Sequence, residues 1–96
     1  MQIGKVIGTV VSTKKDDKLE GLKLLVVKFV DAAGEPTGGI VVAADAVGAG
    51  DGETVLITTG SSARLTPVTK DKPLDAIVVA IVDIVELGGK VTYKKS

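Results

Sequence analysis

Apolar positions in this chain fall in short runs separated by glycine and charge, and they predict strands rather than helices. Residues 5–13 (KVIGTVVST) are β-branched and rich in Val and Thr, which suits a pleated surface. Residues 22–31 (LKLLVVKFVD) predict a second strand, apolar enough to be covered on both faces over part of its length. Residues 32–39 (AAGEPTGG) read as a hairpin loop leading into a third strand over 40–44. A glycine-rich loop over 48–52 precedes a fourth strand over 53–59 (ETVLITT). Residues 60–64 (GSSAR) leave the sheet, and Ser61 or Ser62 could N-cap a short helical turn there.

Residues 66–72 are polar and loop-like, and 73–76 (PLDA) could form one helical turn with Pro at its tolerated first position. Residues 77–86 (IVVAIVDIVE) fit a strand or a helix by periodicity alone, and their Val and Ile content favours a fifth strand. Gly88-Gly89 signals a turn into a short terminal strand over 90–94 (KVTYK). The run Lys14-Lys15-Asp16-Asp17-Lys18 has nothing to bury and reads as a solvated hairpin tip or insertion. Five or six short strands with one or two helical turns predict an all-β fold, a small OB-like barrel forming a single domain over 1–96.

Composition adds a hint of assembly. The 96 residues are 45% hydrophobic, nearly all Val, Ile, Leu and Ala, with aromatics at 2% and a mean hydropathy of +0.38. A domain of this size buries only about two-thirds of its unfolded surface, so surplus apolar area is expected to be buried against further copies of the chain. Lys plus Arg is 12 and Asp plus Glu is 12. A neutral chain lacks the basic surplus that neutralises phosphates, which argues against a nucleic-acid partner, and it offers no pull toward an anionic membrane. The chain contains no Cys, the stretch 1–8 lacks the pattern of a signal peptide, and the longest apolar run, 76–82, is too short to span a bilayer. The expectation is a soluble cytoplasmic protein.

Candidate chemistry is sparse. Without His or Cys, the usual zinc and transition-metal sites and the Ser-His and Cys-His nucleophilic arrangements have no residues to build on. Ser61 and Ser62 sit in Gly-Ser-Ser-Ala-Arg, which does not match the Gly-x-Ser-x-Gly elbow. The glycines Gly48, Gly50 and Gly52 invite a phosphate-binding reading, but their spacing is one residue short of the dinucleotide fingerprint. A strand also follows where that fingerprint needs a helix N-terminus. The paired carboxylates Asp51 with Glu53 and Asp83 with Glu86 could do acid–base work only in a cleft that shifts their pKa. Phe29 and Tyr93 are the only aromatics, too few for the stacking platforms of an OB-type nucleic-acid surface. No cofactor is expected. A binding module for a small anion or nucleic acid, centred on the glycine loop, is the alternative to a structural role.

Taken together, five segments resemble the EutN/CcmL family of bacterial microcompartment vertex proteins over essentially the whole chain. They are Gly4-Lys5-Val6-Ile7-Gly8-Thr9-Val10-Val11-Ser12-Thr13, Leu19-x-Gly21-x-Lys23-Leu24-Leu25, and Val42-Ala43-Ala44-Asp45-x-Val47-Gly48-Ala49-Gly50-x-Gly52-Glu53, followed by Gly60-Ser61-Ser62-Ala63-Arg64 and Pro73-x-Asp75-Ala76-x-Val78-Val79-Ala80-Ile81-Val82-Asp83. The Gly-Ala-Gly-x-Gly-Glu and Gly-Ser-Ser-Ala-Arg pair, in this order and at this spacing, carries the specificity; either alone is weak.

The resemblance implies a non-enzymatic shell subunit, a five-stranded OB-like barrel with a short helix that assembles as a cyclic homopentamer. Such a pentamer would cap the five-fold points that flat sheets of hexameric and pseudohexameric shell proteins need in order to close. By the same resemblance, Gly48, Ala49, Gly50, Gly52, Glu53 and Arg64 are expected at a subunit interface. Gly60, Ser61, Ser62 and Ala63 are expected at a narrow five-fold pore. Arg64 would bond a carboxylate or backbone carbonyl of a neighbour.

Overall fold

The computed structural model describes residues 1–12 and 16–95. Seven strands form in chain order: β1 (Gln2–Val10), β2 (Leu24–Val30), β3 (Pro36–Asp45), β4 (Thr54–Thr59), β5 (Ala76–Ile81), β6 (Ile84–Leu87) and β7 (Lys90–Lys94). Two 3-10 turns, Asp17–Leu19 and Gly60–Arg64, interrupt them. The first five strands close into a barrel in the order β1-β2-β3-β5-β4, and β6 pairs with β7 as a separate hairpin. All barrel pairings are antiparallel except β3 with β5, where Ala44 faces Ile77 and Asp45 faces Val78. This parallel pairing closes the barrel and requires a long crossover, which β4 and the 60–75 excursion supply.

The period-2 pattern explains what fills the barrel. Val6, Leu25, Val27, Ala43, Val55, Ile57, Ala76 and Val78 point inward and are buried, joined by Ala49 from the loop after β3. Two one-residue bulges keep apolar side chains on the inner face. In β1 the pairs Val6 with Val27 and Gly8 with Val26 leave Ile7 extra; in β5 the pairs Ile57 with Val78 and Leu56 with Ala80 leave Val79 extra. After the second bulge Ile81, not Ala80, packs toward the core.

A five-stranded barrel has a narrow interior, and Gly4 shows how narrow. A Cβ added there would lie 2.5 Å from Val27 Cγ1, 2.8 Å from Ile57 Cδ1 and 3.0 Å from the Lys28 carbonyl oxygen. Glycine stands here for lack of space, not for its backbone angles.

Outside the barrel wall lies a second apolar cluster. Ala44 and Ile77, which face outward, are roofed by Ala63 of the 3-10 turn, with Leu22, Leu24, Leu74 and Val79 around them. The excursion that forms this roof is tied down by polar bonds. Thr69, fully buried, donates its hydroxyl to the Ala63 carbonyl at 2.5 Å, and the Gly60 amide donates to the Asp75 carbonyl at 2.8 Å.

Several elements differ from their sequence expectation. β1 starts earlier and ends at Val10, and Thr13, Lys14 and Lys15 lie outside the described residues. Within the charged run, Asp17–Leu19 forms a 3-10 turn whose Lys18 amide donates to the Asp16 carboxylate at 2.8 Å. Residues 36–39 belong to β3 rather than to a loop: Gly38 and Gly39 adopt φ of +99° and +85°, a bulge opposite Phe29 that only glycines enter freely. Residues 73–76 form no helical turn, because Ala76 pairs with Thr59 at the start of β5 while Leu74 turns to the outer cluster.

The run 77–86 is two strands. Val82 donates to the Thr54 carbonyl at the end of the barrel ladder, and Asp83 accepts from the Lys95 amide, so the chain leaves the barrel there to pair with β7.

Replacing Gly4 by Ala is expected to destabilise the fold by about 1–3 kcal/mol through overpacking. Urea denaturation of the variant against the parent measures this; an unchanged midpoint would mean that the wall gives way without cost.

Candidate functional site

The glycine loop after β3 is organised by two carboxylates of its own chain. Asp45 Oδ1 accepts the amides of Val47, Gly48 and Ala49 at 3.0, 3.1 and 3.3 Å. Glu53 Oε1 accepts the Gly50 amide at 2.7 Å, and the Gly52 amide donates to the Val6 carbonyl at 2.8 Å. Ala49 is thereby pressed into the barrel core while its carbonyl accepts from Lys23 Nζ at 3.4 Å. A cradle for phosphate needs free amides and a positive surround. Here the amides are already taken, two of the acceptors are anionic, and the loop does not offer an anion site.

Glu53 does more than hold the loop. Its second oxygen lies 2.8 Å from Lys95 Nζ, which ties the glycine loop to the segment after β7. The bond from Lys95, and behind it the Gly50 amide, holds the Glu53 carboxyl below its ordinary pKa, while the Glu53 carboxylate raises that of Lys95. A general acid needs the opposite displacement. Asp51 is exposed beside it, and Asp83 and Glu86 are exposed at the foot and middle of β6. Among the described residues, no three His, Cys, Asp or Glu side chains converge as metal ligands would.

The glycines divide by cause. Gly48, Gly52 and Gly60 adopt φ of +76°, +81° and +71°, so their own backbones require them. Gly50 does not: its φ is ordinary, and an added Cβ would meet only Glu53 Oε1, at 3.5 Å, an ordinary contact. Nothing within the subunit explains a glycine at 50.

The Gly60–Arg64 turn is a 3-10 turn, as the sequence suggests, but neither serine caps it. Thr59 occupies the capping position in extended conformation with no side-chain bond. Ser61 and Ser62 are free to face solvent with Gly60, whereas Ala63 is fully buried beneath the turn. Any lining of an axis by this segment therefore comes from Gly60, Ser61 and Ser62, and Ala63 acts by seating the turn. Arg64 uses Nη1 to donate to the Leu74 carbonyl of its own chain at 3.0 Å, bracing the excursion.

Two depressions lined by described residues bear on binding. One of about 710 Å³ is shallow and mixes Asp16 and Asp71 with Lys18, Arg64 and Lys72. The other, about 240 Å³, lies between the barrel and Tyr93 and is floored by Lys5, Val30 and Thr54. Neither gathers side chains of one charge.

With this geometry in hand, known proteins supply the context. The family described as ethanolamine utilisation protein EutN/carboxysome matches residues 1–83. The chain belongs to this family. It is 50% identical to the carboxysome shell vertex protein CcmL of Synechocystis sp. over 99% of its length and 95% of that protein. The solved structure of Gloeobacter violaceus CcmL superposes with a TM-score of 0.94 at 44% identity, covering 99% of this chain and 98% of that one. The GrpN pentameric microcompartment shell protein from Rhodospirillum rubrum superposes at 0.83 with 50% identity, covering 91% of this chain and 99% of that one.

Sequence reasoning found the two family motifs but missed Lys95 and Asp45 as parts of the loop's architecture. Asp45 was quotable as part of the motif, yet an Asp two to four residues before glycines is common in turns. Lys95 sits 42 residues from Glu53 and left no local signal.

The Glu53–Lys95 link should titrate in a defined direction. Since the folded carboxyl is held low, its contribution is complete above the ordinary glutamate range and is lost as pH falls through the lowered value. The raised Lys95 value keeps the pair intact until pH rises past the ordinary lysine range. The Gly50 amide proton, followed by NMR, is expected to titrate with a midpoint below that of a free glutamate. Glu53→Gln should keep the Gly50 amide protected through its carbonyl oxygen, whereas Glu53→Ala should expose it. Equal exposure in both variants would show that the loop does not depend on this acceptor.

Proposed function

We propose that this protein is a structural subunit of a bacterial microcompartment shell, forming a cyclic homopentamer that closes the shell's five-fold vertices. The observation that carries this reading is the match to the pentameric GrpN shell protein, with a TM-score of 0.83 at 50% identity over 91% of the chain. Catalysis is not part of the role: Asp45 and Glu53, the two carboxylates bonded to the glycine loop, are engaged in holding its amides. The expected partners are four further copies of the chain and the hexameric and pseudohexameric tiles around a vertex, and the expected place is the cytoplasm, within the shell.

Physical features of the single subunit support assembly. Ile7, Ile40, Val42, Ile84, Leu87 and Val91 are large aliphatic side chains left exposed. Gly50 lacks any reason within its own subunit, which supports close approach by a neighbour at the Gly48, Ala49, Gly50, Gly52 and Glu53 loop. Gly60, Ser61 and Ser62 present small polar groups, which suit a narrow axial opening.

Native mass spectrometry at micromolar concentration is expected to give a pentamer, and a monomer alone would overturn the reading. Coexpression with hexameric shell proteins should yield closed particles only when this chain is present. Gly50→Ala is expected to leave the thermal unfolding of the subunit near that of the parent. Gly50→Val should shift the population toward smaller species, and an unchanged ring would show that the glycine is not there for contact between subunits.

A further inference from the structure

The hairpin of β6 and β7 meets the barrel on one side and near its root. The Thr92 hydroxyl in mid-β7 donates to the Ala32 carbonyl at 2.7 Å, Tyr93 lines a depression with Lys5, Val30 and Gly34, and Lys95 Nζ bonds Glu53, while the Lys95 amide closes the hairpin's own base on the Asp83 carbonyl at 2.8 Å. The molecule measures 45 × 24 × 22 Å, and no barrel strand packs along the hairpin. A lone two-stranded hairpin is marginal in water and needs a surface to lie on. Its register sets Ile84, Glu86, Val91 and Lys94 on one face, with Thr92 bulged, and both Ile84 and Val91 are at least half exposed.

A matching surface exists on the same chain, and Lys5 at its edge lines the depression beside the hairpin's own Tyr93. On the outer wall of the barrel, Ala44 and Leu24 form one row, which the 60–75 excursion covers. The next rows are Val42 with Val26 and Gly8, then Ile40 with Lys28 and Lys5; Val42 and Ile40 are exposed and the others half-buried. Ile40 is 64% exposed and the bulged Ile7 beside them 48%. Lys28 and Lys5 have no acidic partner among the described residues, where Glu53–Lys95 is the only salt bridge, and Glu86 has no basic one. Apolar face thus answers apolar face, and Glu86 answers Lys28. A cyclic ring requires two unlike, complementary surfaces on every subunit.

We propose that the β6–β7 hairpin of one subunit docks on the bare β1–β3 rows of the next, clasping each junction of the ring; this rests on the pentamer proposed above. The hairpin lies beyond residue 83, where the family match ends, and 91% of this chain spans 99% of the pentameric R. rubrum protein. A ring of this family therefore closes on a somewhat shorter chain, and the clasp is expected to act beside the ring's other contacts.

The test is a charge exchange in the full-length protein, at positions where substitution leaves the single subunit's core untouched. Glu86→Lys and Lys28→Glu are each expected to raise the concentration of half-dissociation by about tenfold in a dilution series followed by sedimentation, and the double variant to return it toward the parent value. Val91→Ser and Ile40→Ser should weaken the ring in the same assay. If the parent is a pentamer and all these variants dissociate as it does, the clasp is wrong while the pentamer stands. If they leave the ring intact but abolish closed particles with hexameric tiles, the hairpin's partner is a tile, and the proposal is likewise overturned. A monomeric parent would instead remove the pentamer itself.

Discussion

Closing only five strands into a barrel leaves an interior too narrow for large side chains, and this one constraint orders the rest of the structure. The core is built from Val and Ala with a single Leu and a single Ile, and no aromatic ring belongs to its fully buried set. At Gly4 even a methyl group does not fit. A chain that is 45% hydrophobic cannot place its remaining aliphatic residues inside such a barrel. They go to the outer wall, where the 60–75 excursion covers one row and the others stay bare. Association would answer this geometry, since burying those rows against another copy removes them from water.

A second consequence concerns the loops. Ala49 joins the barrel core, carried on a loop of glycines whose amides would otherwise need water. Asp45 and Glu53 satisfy amides of this loop, so Glu53, one of the carboxylates that invite a chemical reading in the sequence, acts as an internal cap. Glu53 then reaches Lys95 and couples the loop to the root of the C-terminal hairpin. An exposed ion pair of this kind adds little to stability by itself. Its value is positional: it sets how the hairpin leaves the barrel relative to the loop.

How much of this could be read from the sequence depends on whether the signal was local. The strands over 24–30, 54–59 and 90–94 were legible because alternation and β-branched content are local properties. β1 was shifted because Val11 and Ser12 continue the composition of the strand after its ladder has ended. The Gly38-Gly39 bulge was read as loop because glycine marks loops and bulges alike. The division of 77–86 could not be read at all, as IVVAIVDIVE is uniformly strand-like and the break at Val82 and Asp83 is imposed by distant partners, Thr54 and Lys95. The site showed the same limit. Its motifs stood out, but which glycines serve the backbone and which serve a neighbour required φ angles and the surroundings of each Cα.

Gly50 and the bare rows of β1–β3 point to the same conclusion from independent grounds. One is a glycine that its own subunit does not require; the other is apolar surface that its own subunit does not cover. A self-sufficient monomer would select against both, the first because glycine costs conformational entropy and the second because exposed aliphatic rows on a sheet invite aggregation. In a closed ring the two costs disappear together, since each copy offers the next both the close approach and the cover. Neutral net charge fits the same picture, because five copies drawn into contact suffer no overall repulsion while individual pairs of opposite charge still fix the register.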